Sequence, residues 1–304
     1  MKHPHNSHTS VTRRHSILSA LLLAFICTAL STQAATKKVL LIAGSRSHGA
    51  GEHEFRAGCL LLQSCLKGTP GLSVEVATNG WPTSDAAFEG VSAIVIYSDG
   101  GSGHPAILPK RLAKLRELMA KGVGLGCAHY GVEVPKGEPG DALLDWIGGY
   151  FEMFWSVNPH WTARFDTFPK HDILRGVKPF QINDEWYYHM RFRPEMKGVT
   201  PILSALPPAE TLNRPDGPHS GNPAVRAAVA KGELQPLMWC VERPDGGRGF
   251  GFTGGHFHKN WQDESFRKAT LNAILWIAKM KVPQQGVESH LAPGEIDLNL
   301  DVKK

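Results

Sequence analysis

One strand-turn segment, residues 121–134, constrains the fold of this chain more than any other stretch. Its sequence, KGVGLGCAHYGVEV, begins as a short apolar strand around Val123 and Leu125 and breaks at Gly126 into small and polar residues. In a parallel α/β sheet, a strand that ends in a glycine-flanked polar residue presents that side chain at the carboxyl edge, where such folds bind ligands. His129 occupies the exposed position of this tight turn in the most natural alignment. The turn therefore carries a histidine in place of a nucleophile.

Apolar strands and helices alternate through the first half of the chain. Strands are predicted at 38–43, 72–77 and 91–97, and helices at 55–67 and 108–121. Strands alternating with helices imply a parallel sheet with helices on both faces, so we expect an α/β fold. The polar loops that follow such strands open onto the same edge of the sheet, which predicts one shared cleft.

The second half of the chain does not show this regular alternation of strands and helices. A short helix is predicted at 141–149, strands at 201–206, 237–241 and 247–253, and a closing helix at 266–280. Residues 207–232 are rich in proline, glycine and asparagine, which predicts a long surface excursion. Residues 284–304 are predicted to form an exposed tail.

The first 34 residues have the layout of a secretory signal. Arg13 and Arg14 precede a nearly continuous apolar run at 17–30. The following residues 31–34, STQA, are small and polar, as in the cleavage region of a signal peptide. The run is shorter than the roughly 20 residues that a membrane span prefers, so cleavage after Ala34 is favoured over a retained anchor. We predict an exported protein, periplasmic or extracellular, with no stable membrane span after cleavage. The paired arginines leave the Sec and Tat routes both open.

Charge gives no reason to expect nucleic acid as a partner. Removal of the signal deletes Lys2, Arg13 and Arg14, and the formal charge falls from +5 to +2. A nearly neutral protein lacks the basic surface that nucleic-acid binding requires. Cys59 and Cys65 are six residues apart on a predicted helix and point in different directions, so no disulfide framework is expected.

Histidine and carboxylate side chains cluster in the loops that follow these strands. The candidates are His48, His53 and Glu54 after the first strand, Asp99 after the third, His129 and Tyr130 at the turn, and His256 after the last. Their position at strand ends favours a functional cleft. Glu54 could instead cap the next helix, and Asp99 could bond to its own loop. Asp184 and Glu185, which precede an aromatic stretch, are either catalytic carboxylates or ordinary turn residues.

Six separate segments of the chain resemble one protein family. They are GSRSHGAGEHEF, YSDGGSGHP, GLGCAHYGVEV, WSVNPHW, NDEWYYHMRF and GRGFGFTGGHFHKNW. Together they resemble the ThuA-like (trehalose utilisation) family over residues 38–283, especially its exported members from sugar-degrading bacteria. The resemblance implies the class I glutamine amidotransferase-like fold, a flavodoxin-like three-layer sandwich with a mainly parallel central sheet. It also implies a role in handling disaccharides, including 3-keto sugars made by a partner sugar-oxidising dehydrogenase.

The resemblance to amidotransferases fails at the turn. Those enzymes carry a nucleophilic cysteine there, whereas Cys127 lies two residues before His129, and His256 sits where their catalytic histidine would be. Without a cysteine at the turn, glutaminase chemistry has no acyl-forming atom. We therefore expect that the protein is not a glutamine amidotransferase, with a shifted alignment onto Cys127 as the alternative.

Two mechanisms for cleaving a glycosidic bond, by hydrolysis or by elimination, fit the remaining residues. In the first, His129 and His256 act with Asp184 or Glu185 as acid and base, because a 3-keto group acidifies the neighbouring C–H. In the second, a divalent metal such as zinc polarises the sugar oxygens. Its candidate ligands are His48, His53, His129 and His256. No cofactor is certain from the sequence.

A further set of candidates, which includes two of the possible metal ligands, would contact the sugar. They are His48, His53, Glu54, Asp99, Tyr130, Trp186 and Trp261, the two tryptophans because sugars stack on aromatic faces, with a core position as the alternative. His171 and His219 are interpreted as peripheral. A non-catalytic carbohydrate-binding protein that uses the same cleft is the alternative function, and the density of histidines at strand ends favours an enzyme.

Overall fold

A computed structural model describes residues 36–303, so the predicted signal at 1–34 lies outside the described residues. The helices are α1 (Phe55–Leu66), α2 (Pro109–Ala120), α3 (Glu138–Ile147), α4 (Pro223–Ala230) and α5 (Glu264–Ile277). The strands are β1 (Lys37–Ala43), β2 (Leu72–Ala77), β3 (Val91–Tyr97), β4 (Gly124–Ala128), β5 (Gly149–Tyr150), β6 (His160–Phe165), β7 (Phe180–Glu185), β8 (Arg191–Phe192), β9 (Val199–Ala205), β10 (Gln235–Glu242) and β11 (Arg248–Phe252). Within 36–303 no helix has the length and apolarity to cross a membrane.

The central sheet has seven strands in the order β2-β1-β3-β4-β11-β10-β9. The first five of these are mutually parallel, and β10 is antiparallel to both of its neighbours. The prediction of a mainly parallel sheet is confirmed. Because parallel strands end at the same edge, the loops after β1, β3, β4 and β11 meet there.

Helices cover both faces of the sheet because its central strands carry continuous apolar runs. Along β1, Val39 and Leu41 pack into one core with α1 and α5, whereas Leu40 and Ile42 pack into a second core with α2 and α3. Successive side chains of a strand point to opposite faces, so a continuous apolar run feeds both cores. The predicted three-layer sandwich is confirmed.

A two-stranded antiparallel hairpin, β6 and β7, lies outside the central sheet. Trp161, Ala163 and Phe165 point inward from β6 and alternate with exposed residues, as expected of a strand buried on one face. These residues join the core that contains α5. The hairpin thereby holds Glu185, the last residue of β7, near the edge of the central sheet.

The segment 207–232 differs from the prediction because it contains helix α4. Pro223 occupies the first turn, and the side-chain oxygen of Asn222 accepts a hydrogen bond from the backbone N–H of Val225 (3.0 Å). Both are favourable signals for a helix start. Val225 and Ala228 bury the inner face of the helix. The excursion is therefore anchored to the body of the protein.

Most residues of the predicted tail, described over 284–303, are exposed, but the segment is anchored to the body at a few positions. Val287 and Ile296 are buried against the core. Near the end of the chain, Lys303 Nζ lies 3.2 Å from Glu54 Oε1, and these side chains are only 2% and 1% exposed. The backbone N–H of Asp301 donates to the other oxygen of Glu54 (2.8 Å). The tail thus packs on the loop between β1 and α1.

Candidate active site

Three histidines and one glutamate converge at the carboxyl edge of the central sheet. His53 lies in the loop after β1, His129 follows β4, His256 follows β11, and Glu185 ends β7. One nitrogen or oxygen from each lies within 4.8 Å of the others. As the topology predicts, His129 and His256 share one site, with 3.3 Å between Nε2 of His129 and Nδ1 of His256.

His129 stands on a strained turn between β4 and a short 3-10 helix. Its φ is 50°, in the left-handed region that non-glycine residues rarely adopt. This is the geometry of a nucleophile elbow, here carrying an imidazole. His53 also has a positive φ, 46°, and such strain is concentrated at functional sites. The expectation that the His129 side chain is exposed is wrong, because neighbouring loops bury it completely.

A short antiparallel contact holds His53 next to His256. The backbone N–H of His53 donates to the carbonyl of His256 (3.0 Å), and the N–H of His258 donates to the carbonyl of Gly51 (2.9 Å). The loops after β1 and β11 are therefore joined by an isolated antiparallel bridge between Glu52 and Phe257. This places Nε2 of His53 only 3.0 Å from Nδ1 of His256.

The two carboxylates at the end of β7 have different surroundings. Glu185 Oε2 lies 3.2 Å from Nδ1 of His256 and 3.5 Å from Nε2 of His129. Asp184 points the other way, as the next residue of a strand does, and is fully buried. It accepts hydrogen bonds from the backbone N–H groups of Gly255 (2.7 Å) and His256 (3.0 Å). Asp184 was predicted to be catalytic, but its contacts make it the support of the turn that carries His256.

Hydrogen bonds behind the cluster determine which ring nitrogens carry protons. Nδ1 of His129 lies 3.0 Å from the carbonyl oxygen of Thr253, which can only accept, so this nitrogen is the donor. Nδ1 of His53 donates in the same way to Asp99 Oδ1 (3.0 Å). In the neutral rings both Nε2 atoms then present lone pairs, and these atoms lie 3.0 Å apart. Two facing lone pairs at this distance require a proton or a cation between them.

The donor set fits a four-coordinate divalent ion. Tetrahedral zinc with bonds of 2.0–2.1 Å places its ligand atoms about 3.3 Å apart. Five of the six separations among these four side chains are 3.0 to 3.5 Å, and the sixth, between His53 and Glu185, is within 4.8 Å. Metal-bound histidines usually donate their other N–H to a carboxylate or a backbone carbonyl. Asp99 and Thr253 supply these two kinds of partner for His53 and His129.

Burial and charge keep two of the imidazoles neutral and the carboxylate ionised. Desolvation, with smaller contributions from His48 and His256, lowers the pKa of His53 to about 2. Desolvation and His53 lower the pKa of His129 well below its ordinary value. Burial opposes ionisation of Glu185, but its hydrogen bond with His256 and the charge on that ring lower its pKa. Burial likewise opposes the charge on His256, yet Glu185 raises the pKa of that ring.

Three further predicted residues border this cluster. The ring of His48 lies 3.6 Å from that of His53, and its Nδ1 is 3.8 Å from Asp99 Oδ1. The sequence predicts His48 as a metal ligand together with His53, His129 and His256. In the structure Glu185 is the fourth member of that group, and His48 lies next to it. Tyr130 lies on the same side, with its ring 6.0 Å from that of His53.

Three predicted sugar contacts lie outside the cleft. Trp186 and Trp261 are fully buried in the aromatic core, so neither presents a ring face to a sugar. Glu54 is also buried, and its carboxylate is occupied by Lys303, Asp301 and the backbone N–H of Gly51 (3.1 Å). Nor does the Glu54 side chain cap helix α1. All three are corrected to structural roles.

The sequence reasoning missed three polar residues at the site. The hydroxyl of Tyr187 lies 3.4 Å from Nε2 of His129 and 3.3 Å from Glu185 Oε2. Asn158 Nδ2 donates to Glu185 Oε1 (3.0 Å), and Nε2 of His160 is 3.9 Å from the same oxygen. Tyr187 lies two residues beyond the end of β7, so the alternation of side chains along that strand gave no signal for it.

We expect Cys127→Ser to retain most activity and the protein to lack glutaminase activity. The thiol is fully buried on β4, and burial raises the pKa of Cys127 to about 12, so a thiolate nucleophile does not form. Ammonia release from glutamine by the wild type and the variant is the measurement. A burst of ammonia that Cys127→Ser abolishes would show that the thiol is the nucleophile.

The sequence and fold of the chain are similar to those of known proteins. The family model described as ThuA, trehalose utilisation, matches residues 38–277. A ThuA-like protein from Bacteroides uniformis ATCC 8492 has a TM-score of 0.57 and 15% identity, with 82% of this chain and 94% of that chain covered. One from Parabacteroides merdae ATCC 43184 has a TM-score of 0.55 and 16% identity, with coverages of 84% and 97%. Both show likeness of fold. No curated protein matches the chain.

Proposed function

Because the chain belongs to the ThuA (trehalose utilisation) family, we propose that it is an exported enzyme that cleaves the glycosidic bond of a disaccharide or 3-keto glycoside. The convergence of His53, His129, His256 and Glu185 is the observation that supports this most strongly. The cluster lies at the sheet edge where α/β folds bind ligands. The layout of residues 1–34 supports export, and the trehalose context of the family supports a disaccharide substrate.

The donor set supports a resident divalent ion, zinc or a related transition metal. His53, His129, His256 and Glu185 would hold it, and such an ion polarises keto and hydroxyl oxygens when bound. Asp99 and the Thr253 carbonyl orient the first two rings.

Groups next to the cluster support proton transfer. His48 and His160 have side chains that are 40% and 51% exposed, so a substrate can reach them. Histidine is the side chain that most often acts as a general base, and either ring can accept the proton from the carbon next to a keto group. The buried hydroxyl of Tyr187 donates a hydrogen bond to Glu185 Oε2 (3.3 Å) and lies 3.4 Å from Nε2 of His129, so it orients the carboxylate of the cluster.

Metal analysis combined with a sugar assay tests the proposal. We expect about one equivalent of a divalent transition metal in purified protein, and release of monosaccharide from 3-keto disaccharides. A chelator should abolish this release, and the metal should restore it. Full activity of metal-free protein would contradict the metal site. Sugar binding without turnover would establish the alternative, a carbohydrate-binding protein that uses the same cleft.

A further inference from the structure

A second pair of ionisable side chains lies beside the four-residue cluster. Nε2 of His219 is 3.0 Å and 3.1 Å from the two carboxylate oxygens of Glu133. Glu133 is only 2% exposed, and its carboxylate has no other hydrogen-bond partner within residues 36–303, whereas the His219 side chain is 30% exposed. A buried carboxylate requires a partner, so this contact holds the imidazole in one orientation.

The segment that carries His219 is held firmly. The carbonyl of His219 accepts hydrogen bonds from Arg214 Nη2 (3.0 Å) and from the backbone N–H of Asn158 (3.1 Å). Its ring stacks on Phe151, with 5.2 Å between ring centroids and 24° between planes. Nδ1 of His219, in contrast, makes no hydrogen bond to the described part of the chain. An oriented histidine with one nitrogen on a carboxylate and the other free has the arrangement of a general acid or base.

Three contacts connect this pair to the cluster. Asn158 touches both, because its backbone donates to His219 and its side chain donates to Glu185 Oε1 (3.0 Å). Phe151 packs on His219 and also on Tyr187, and the ring centroids of Phe151 and Tyr187 are 5.3 Å apart. The backbone N–H of Glu133 donates to the carbonyl of Tyr130 (3.0 Å), whose ring lies 6.0 Å from that of His53. The pair therefore borders the same cleft as the cluster.

We infer that His219, oriented by Glu133, is the general acid that protonates the departing sugar oxygen. This inference rests on the proposed function. In the elimination route, the electron pair of the C–H bond next to the keto group forms the new C=C bond, and that proton goes to the base in the cleft. The glycosidic C–O bond breaks with its electron pair on oxygen, and this oxygen takes the proton from Nδ1 of His219.

The charged groups around His219 favour its protonated form, as the role of a general acid requires. The hydrogen bond with Glu133 raises the pKa of His219 against the opposing effect of burial, Glu185 adds to the rise, and Arg214 reduces it. A raised pKa keeps the imidazolium present to higher pH. The alkaline limb of the kcat/KM profile should therefore move to lower pH in Glu133→Gln, because the carboxylate that stabilises the proton is gone.

A pair of substrates that differ only in the leaving group tests this role. A sugar alcohol is a poor leaving group and needs the acid, whereas dinitrophenolate leaves without protonation. We expect His219→Asn to lower kcat by about 10²-fold on a 3-keto disaccharide and to change it only a few-fold on the dinitrophenyl 3-keto glycoside. Activity on the second substrate also shows that the variant folds. His290→Asn, at an exposed position in 284–304, is the matched control and should be unaffected on both substrates.

Equal losses on the two substrates, or no loss on either, would overturn the role of His219 as an acid while leaving the proposed function intact. An unchanged alkaline limb in Glu133→Gln would overturn the orienting role of the carboxylate. If the wild-type protein cleaves neither substrate, the proposed function itself fails, and the acid role fails with it.

Discussion

Replacing His129 with asparagine is expected to lower turnover by about 10²-fold or more, the usual contribution of an acid–base or ligand group. Asparagine tolerates a positive φ better than most residues, so the backbone turn at this position should survive the change. What is lost is the Nε2 atom that lies 3.0 Å from Nε2 of His53 and 3.3 Å from Nδ1 of His256. The bound metal should fall together with kcat, so both are measured on the same preparation.

His189→Asn is the matched control for that experiment. His189 has a φ of 55°, close to the 50° of His129, and its Nδ1 bonds to the carbonyl of Trp155 outside the cluster. We expect it to keep metal and turnover. The double variant His129→Asn/His256→Asn should lose little more than the worse single variant, because groups that act as a unit are not additive. Full additivity, or an unaffected single variant, would contradict a shared site.

Replacing Lys303 with methionine is expected to destabilise the folded protein by about 3 kcal/mol, as breaking a buried ion pair does. The change leaves the buried carboxylate of Glu54 without its cation. A control pair, Lys231 and Glu233, is 72% and 52% exposed with 3.8 Å between charged atoms, and Lys231→Met should cost less than about 1 kcal/mol. Equilibrium unfolding in urea gives both values.

A double-mutant cycle shows whether the charge itself causes the loss. Glu54→Gln combined with Lys303→Met leaves no unpaired charge, so the double variant should recover a large part of the stability. Losses that simply add would mean that the two side chains act independently. Because Glu54 adjoins His53 in the same loop, Lys303→Met should also weaken metal retention.

The sheet and the main residues of the cleft could be predicted from the sequence because they follow local rules. Apolar strands that end in glycine-rich polar loops predict a shared edge, and His53, His129 and His256 are indeed at that edge. The choice between Asp184 and Glu185 could not be made in this way. It depends on the face to which each side chain of β7 points, and this is fixed by how the β6–β7 hairpin packs.

Contacts between residues distant in sequence account for the other differences between the sequence-based predictions and the structure. His219 was interpreted as peripheral because a proline- and glycine-rich segment carries it, and its contacts with the distant Glu133, Asn158 and Phe151 bring it to the cleft. Trp186 and Trp261 are aromatic in the way that sugar-binding residues are, yet composition does not distinguish a core ring from a ring on the surface. The anchoring of the predicted tail was missed because nothing in the sequence around Lys303 indicates its distant partner Glu54.

The position of β11 in the sheet has a consequence for how the protein matures. This strand is the last of the strands within residues 36–303, yet it lies between β4 and β10, so the sheet is continuous only after a late segment has inserted into its middle. His256 follows that strand and Glu185 stands on a separate hairpin, so a nascent chain offers no complete set of donors. An ion would be captured only at the end of folding, and the compartment in which the chain finishes folding would decide which metal the protein acquires.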